Sequence, residues 1–137
     1  MASEIKTFSS VSQFVEYIDS KLTELRRLLG ELLRVLEDVR AKAEQDKRLR
    51  ALLEKFGVKT SSMQQPIIEL HGFKVAFNPS AETELGFLEQ LVENINSKIT
   101  RLQALRKDIE ALAQENIEAE IRVVIIDDVP IALLVKL

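Results

Sequence analysis

Residues 67–77 read IIELHGFKVAF. His71-Gly72 divides two short apolar runs, and glycine there supplies the positive φ that a two-residue hairpin turn needs. The spacing then sets Leu70 against Phe73, Glu69 against Lys74 and Ile68 against Val75. Ile68, Leu70, Phe73, Val75 and Phe77 alternate onto one face of the hairpin. Glu69 and Lys74 meet across the strands on the other face, as an ion pair that supports the register. His71, the sole histidine, suits the turn for backbone reasons. As a catalytic group it would need an orienting carboxylate and a nucleophile in reach.

On either side of this hairpin the sequence predicts a long helix. Upstream, Val11, Val15, Ile18, Leu22, Leu25, Leu29, Leu32, Leu36, Val39 and Ala43 fall at alternating steps of four and three, the seam of a heptad helix. Leu28, Leu33 and Val35 widen the stripe beyond what a two-stranded coiled coil requires. The width points to burial on two sides, against the chain's own elements and against another subunit. Helix one is expected from about Ser10 toward Lys55, with Ser10 or Ser12 as N-cap. A break is expected near Asp46, which would start a short helix, DKRLRALLEKFG, with Leu49, Leu52, Leu53 and Phe56 inward. Gly57 suits the left-handed position that ends it. Residues Val58 to Gln65 read as a polar loop, and the hairpin covers Pro66 to Phe77.

Downstream, helix two is expected from Pro79 to Asn116. Asn78 would cap it, Pro79 would take the first helical position, and Glu82 and Glu84 suit the positive end of the helix dipole. Leu85, Leu88, Val92, Ile95, Ile99 and Leu102 repeat the heptad. Arg106 interrupts it, as a stutter or as a polar layer, while Leu105, Ile109 and Leu112 carry the stripe on. The tail, IRVVIIDDVPIALLVKL, is a second hairpin around Asp127 to Pro130. Its strands are apolar at nearly every position, so cover is expected on both faces.

The chain thus repeats helix and hairpin. The expectation is a single α+β domain over residues 1–137. It would have two long amphipathic helices, each followed by a hairpin, a four-stranded antiparallel sheet, and a homodimer or homotetramer joined through the leucine-rich seams. With 46% hydrophobic and 30% charged residues, the composition is that of a folded chain. Cysteine is absent, which excludes disulfides and thiol chemistry and suits a reducing, cytoplasmic setting. Abundant charge without Cys or Trp suits a thermophile. MASEIKTFSS lacks a basic then apolar leader, so no secretory signal is expected. No apolar run approaches the roughly 20 residues of a membrane span.

Chemistry-bearing motifs are few. Asp127-Asp128 is an adjacent acidic pair, but no further metal ligands stand at regular spacing and Asp is a common turn residue. There is no phosphate-binding glycine loop and no nucleophile elbow. The expectation is therefore a non-enzyme without metal or cofactor.

Charge is distributed unevenly. The formal net charge is −3. Residues 40–59 nevertheless carry Arg40, Lys42, Lys47, Arg48, Arg50, Lys55 and Lys59 against Glu44, Asp46 and Glu54, a balance of +4. A local positive field is compatible with an acidic whole. Such a run is either a solvated helix face or a phosphate-contacting rim. Phe56, Phe73 and Phe77 stand close to it in sequence or on the adjacent hairpin. Bases stacked on aromatic rings, with cations tracking the backbone, are how single strands are held. The alternative for Phe73 and Phe77 is ordinary core. Phe8, Phe14 and Tyr17 would line the same groove or seat helix one.

Four segments carry a likeness to a known family: TFSSVSQFVEYIDSKL leading into a long helix, the basic DKRLRALLEKFG, the IELHGFKVAF hairpin and the apolar C-terminal hairpin. In element order and character this layout resembles the ThermoDBP-related proteins, archaeal single-stranded DNA-binding proteins. The resemblance implies single-stranded DNA binding in a cleft lined by aromatic and basic side chains, and assembly into oligomers; the chemistry of stacking and phosphate contact leaves RNA as an alternative partner. On this chain it favours Arg48, Arg50, Lys55, Phe56, Phe73 and Lys74, to which the charge and aromatic pattern adds Lys59 and Phe77. Helix, hairpin and second helix also look like a prefoldin subunit, a coiled-coil chaperone, although a terminal hairpin departs from that plan. A purely structural oligomerisation module is the third reading.

Overall fold

The computed structural model describes residues 3–57, 67–115 and 119–136. The expected loop over Val58–Gln65, Lys59 within it and the expected helix end at Asn116 lie outside these residues. Element order is β1 (Glu4–Phe8), α1 (Val11–Lys55), β2 (Ile67–Leu70), β3 (Phe73–Ala76), α2 (Ala81–Gln114), β4 (Glu120–Ile126) and β5 (Val129–Lys136). The fold is α+β, with two long helices packed together, a three-stranded antiparallel sheet and a separate hairpin. Contacts divide the chain into residues 1–30 with 93–137, and residues 31–92. Each helix contributes a segment to both units.

Ser10 caps α1. Its Oγ accepts from the Gln13 N–H at 3.2 Å, while Gln13 Oε1 accepts from the Ser9 N–H at 3.1 Å. Two orphan donors of the first turn are thereby satisfied by a reciprocal pair. The helix then runs unbroken for 45 residues, so the expected break at Asp46 is absent. Residues 44–55 contain no glycine or proline and are rich in Leu, Lys, Arg and Glu. An aspartate within such a run costs only a few tenths of a kcal/mol in propensity. Without the break there is no separate inward-facing helix. Leu49, Leu52 and Phe56 are instead exposed. The helix ends where expected, with Gly57 at φ +81°.

α2 starts at Ala81, two residues later than expected, because Ser80 is the cap. Its Oγ accepts from the Thr83 N–H at 3.2 Å and its carbonyl from the Glu84 N–H at 3.1 Å. Asn78 adopts φ +46° and turns the chain out of the hairpin. Arg106 is a polar layer and not a stutter, since Leu112, which a stutter would turn inward, is exposed, while Ala113, the position the unbroken heptad reaches after Ile109, is half-buried. The guanidinium donates from Nε to Asp19 Oδ1 and from Nη2 to Asp19 Oδ2 at 3.3 Å. This two-point contact holds Arg106 above the ordinary guanidinium pKa. It ties α1 to α2 with defined geometry.

The expected four-stranded sheet does not form. The terminal hairpin pairs instead with β1, in the order β1-β4-β5, and β2-β3 stays apart. β1 lies in EIKTF, a stretch for which no strand was expected; it offers little alternation, and of its side chains only Phe8 is buried. Its pairing, from Glu4 opposite Ile125 to Phe8 opposite Ile121, supplies the ladder partners that the second edge of β4 needs. The β4-β5 turn is Asp127-Asp128, with φ +50° and +66°, in the left-handed region that Asp tolerates. Pro130 lies opposite Ile125 on the edge strand, and a bulge follows that leaves Ile131 without a direct partner. Both features suit an edge.

Within the single chain, cover over this sheet is one-sided among the described residues. Ile121, Val123 and Ile125 are buried while Arg122 and Ile126 are exposed, and most of β5 is exposed. Phe8, Phe14, Ile18, Leu22, Ile95, Ile99, Leu102 and Ile109 complete the core of this unit. Each fully buried apolar side chain there contributes roughly 1.5–3 kcal/mol of transfer free energy. In residues 31–92 the buried set is Leu36, Val39, Ala43 and Val92. The α1 seam is thus buried at Val11, Ile18, Leu22, Leu36, Val39 and Ala43 and half-buried at Val15, Leu25, Leu29 and Leu32, while the flanking Leu28, Leu33 and Val35 are exposed.

Lys98 is the one buried charged residue among those described, and its Nζ lies 3.7 Å from Asp128 Oδ2 in the β4-β5 turn. Removing one partner of a buried pair costs more than removing both. Asp128→Asn and Lys98→Met should each destabilise the chain by more than about 1 kcal/mol, and the double variant by less than the sum of the two. Urea denaturation of the three variants checks this, and strictly additive losses would contradict it.

Candidate nucleic-acid interface

The long uninterrupted α1 determines where its cations point. Arg48, Leu52 and Lys55 follow at steps of four and three and share one face. Arg50 is two positions from Arg48 and lies on another. It is half-buried, with Nη1 3.7 Å from Glu82 Oε2 in the first turn of α2. Arg40 makes a looser contact of the same kind, 4.0 Å to Glu89. Two arginines of the basic stretch are thus engaged with carboxylates of the neighbouring helix. Lys47, Arg48 and Lys55 are exposed and make no ion pair among the described residues. Lys55 also stands in the last turn of α1, where a cation complements the helix dipole.

The last turn of α1 presents an aromatic ring. Phe56 N–H donates to Leu53 O and Gly57 N–H to Glu54 O, each at 3.0 Å, a tightened end that closes the helix. Phe56 is 78% exposed. A phenylalanine with that much ring in water forgoes most of its burial free energy.

The hairpin has the expected register, Leu70 with Phe73, Glu69 with Lys74 and Ile68 with Val75. His71 and Gly72 both have positive φ, 49° and 82°, the signature of a type I′ turn. Phe73 is 70% exposed and Phe77 51%, so neither is core. They share a face, while Lys74 lies on the opposite one with Glu69. Phe73 and Lys74 therefore do not address a ligand from the same side of the hairpin.

Of the eight candidate positions, seven lie among the described residues, and all seven belong to residues 31–92. Arg48, Lys55, Phe56, Phe73, Lys74 and Phe77 are exposed, and Arg50 is diverted into an ion pair. One residue of similar character was not anticipated. Phe87 on α2 is 40% exposed, two positions off the Leu85 seam register, an offset visible in the sequence.

The first unit holds a different aromatic group. Phe8 and Phe14 are buried and seat the start of α1, so they do not line a groove. The Phe8 ring lies 5.5 Å from both Phe14 and Tyr17. Lys6 sits over Tyr17 at 4.6 Å, and Lys21 lies 6.0 Å from the same ring, within reach of cation–π attraction. The missed strand β1 brings Lys6 there. Burial raises the Tyr17 pKa, opposed by Lys21 and assisted by Glu4, Asp128 and Glu24.

Among the described residues no group of three or more His, Cys, Asp or Glu is arranged to hold a metal ion. No helix described is long and apolar enough to cross a membrane. No protein-family model, curated protein or solved structure matches the chain.

Tyr17 is the only tyrosine, and tryptophan is absent, so phenolate absorbance reports on this residue alone. With its folded pKa raised, the folded chain holds the phenolic proton more tightly than the unfolded chain. This contribution to stability is complete below the ordinary tyrosine pKa of about 10 and is lost as pH rises through the folded value. Alkaline titration of the folded chain should give a midpoint above the one in denaturant. Coincident midpoints would contradict the burial argument.

Proposed function

We propose that this chain binds single-stranded nucleic acid without catalysis and largely without sequence preference. The observation that carries the reading is the exposure of Phe56, Phe73 and Phe77 in the unit that also bears exposed Lys47, Arg48, Lys55 and Lys74. Rings left in water gain by stacking on bases, and cations gain by releasing counterions from phosphates. The likeness in layout to the archaeal ThermoDBP-related proteins points the same way, toward single-stranded DNA as ligand and an oligomeric binder; ring stacking and phosphate contact would serve RNA as well. Arg50 has the smallest part in this reading, because Glu82 already engages it.

A coiled-coil holdase of prefoldin type is the second reading. It is favoured by the exposure of Leu49, Leu52, Ile68 and Leu70 in the same unit, which an unfolded client would cover. Suppression of client aggregation, with no retention of oligonucleotide, would select it.

Two substitutions test the first reading, because neither residue supports the fold. Phe56→Ala should weaken binding of a labelled oligo-dT by about 1–3 kcal/mol, the loss of one stacked base. Its melting temperature should be unchanged, since the ring is 78% exposed. Lys55→Ala should reduce the slope of log K against log salt by about 0.7, one phosphate contact on a single strand. Anisotropy titrations at several salt concentrations read both, and wild-type affinity and slope in both variants would remove the proposed rim.

A further inference from the structure

We infer that the β2-β3 hairpin is one half of an intermolecular four-stranded sheet, completed by a second copy of this chain through the β3 edge. This stands independently of the nucleic-acid reading.

The hairpin is incomplete as it stands. Its strands are four residues each, and among the described residues it pairs with no other strand. All of β2 is exposed, as are Phe73 and Lys74 of β3. A lone two-stranded hairpin is marginal in water, and three or more strands are needed for independent stability. The β3 edge is also lightly guarded. One edge strand of the other sheet, β5, carries Pro130 and a bulge at Ile131, devices that discourage further pairing. β3 has no proline and no bulge, and its one charge, Lys74, lies on the face opposite Phe73 and Val75.

The order of residues 73–77, FKVAF, identifies the register. In a two-residue type I′ hairpin the pair flanking the turn exchanges both backbone hydrogen bonds, and the pairs alternate from there. Leu70–Phe73 and Ile68–Val75 are therefore bonded inward, and the N–H and C=O of Lys74 and Ala76 point outward from β3. A two-fold axis at Val75 sets Lys74 opposite Ala76 of the second copy, and the reverse, with each pair exchanging both bonds. Val75 then faces its own counterpart, and Phe73 comes beside Phe77 of the other copy, the residue that follows β3, at both ends. Aromatic cross-strand pairs are favourable and no like charges oppose. The β2 edge does worse. Its outward residues are Ile67 and Glu69, so an axis at Ile68 sets an apolar residue against a carboxylate. An axis at Glu69 sets two carboxylates face to face.

The chain has no cysteine, so single cysteine variants report the interface without background. At a non-hydrogen-bonded antiparallel pair the Cα atoms are about 4.5 Å apart, inside the disulfide range of about 4.4–6.8 Å. Val75→Cys should give a disulfide-linked dimer under mild oxidation, and Ile68→Cys, on the same face but one strand inward, should not. Sedimentation equilibrium supplies the second readout. Ala76→Pro removes an outward N–H and leaves the hairpin's own ladder intact, so it should convert dimer to monomer with the helical circular dichroism retained. Glu69→Pro, on the β2 edge, should leave the dimer. A wild-type chain that stays monomeric throughout the run overturns the inference. So does cross-linking of Ile68→Cys as readily as Val75→Cys, or a dimer indifferent to Ala76→Pro.

Discussion

The requirement to cover one apolar face of β4 organises the first unit. Ile121, Val123 and Ile125 alternate onto that face and are almost wholly buried. A strand so placed needs ladder partners on both edges and a hydrophobic layer over one side. β1 and β5 provide the edges. The layer comes from Phe14 and from the same heptad seam that joins α1 to α2, through Ile18, Ile99 and Leu102. Two polar contacts then select one arrangement among the many that apolar burial permits. Arg106 to Asp19 relates the helices, and Lys98 to Asp128 relates α2 to the β4-β5 turn. Their value lies in defined geometry more than in net free energy.

Residues 31–92 follow a different balance. The seam still closes, over Leu36, Val39, Ala43 and Val92, and ion pairs from Arg40 and Arg50 to α2 flank it. Among the described residues no large sheet lies over these helix segments. The hydrophobic and aromatic residues of the α1 terminus and the hairpin are consequently left in water. Exposed rings beside unpaired cations are what separates this half from the first, where the aromatic residues are packed. The two proposals draw on different parts of that surplus. One uses ring faces and ammonium groups, the other uses backbone donors and acceptors along a strand edge. Edge pairing would align the phenylalanines of two hairpins on one open face, so the proposals are compatible without depending on each other.

The heptad seam was legible because its period is sustained over ten positions, and the HG turn because two-residue hairpins leave few choices of residue. The hairpin register followed from that turn. β1 was not legible, since EIKTF has a weak pattern and its pairing with Ile121–Ile125 is more than a hundred residues distant in sequence. The unbroken α1 was misjudged because an aspartate was given the weight of a helix start, against a run of strong helix formers. Ser80 displaced Asn78 as cap through a contact to Thr83, where two neighbouring capping residues compete and sequence does not rank them. At the candidate interface, exposure of Phe56, Phe73 and Phe77 depends on what does not pack against them. Local pattern carries no such information, and the engagement of Arg50 by Glu82 is likewise a product of tertiary packing.

The central claim is that the exposed rings and cations of residues 31–92 serve a single strand. Titration of the wild-type chain into labelled oligo-dT, at low and at elevated salt and against an excess of unlabelled duplex, tests it most directly. The account predicts binding that weakens steeply with salt and survives the duplex competitor. Absence of binding at low salt, or complete displacement by duplex, would contradict it.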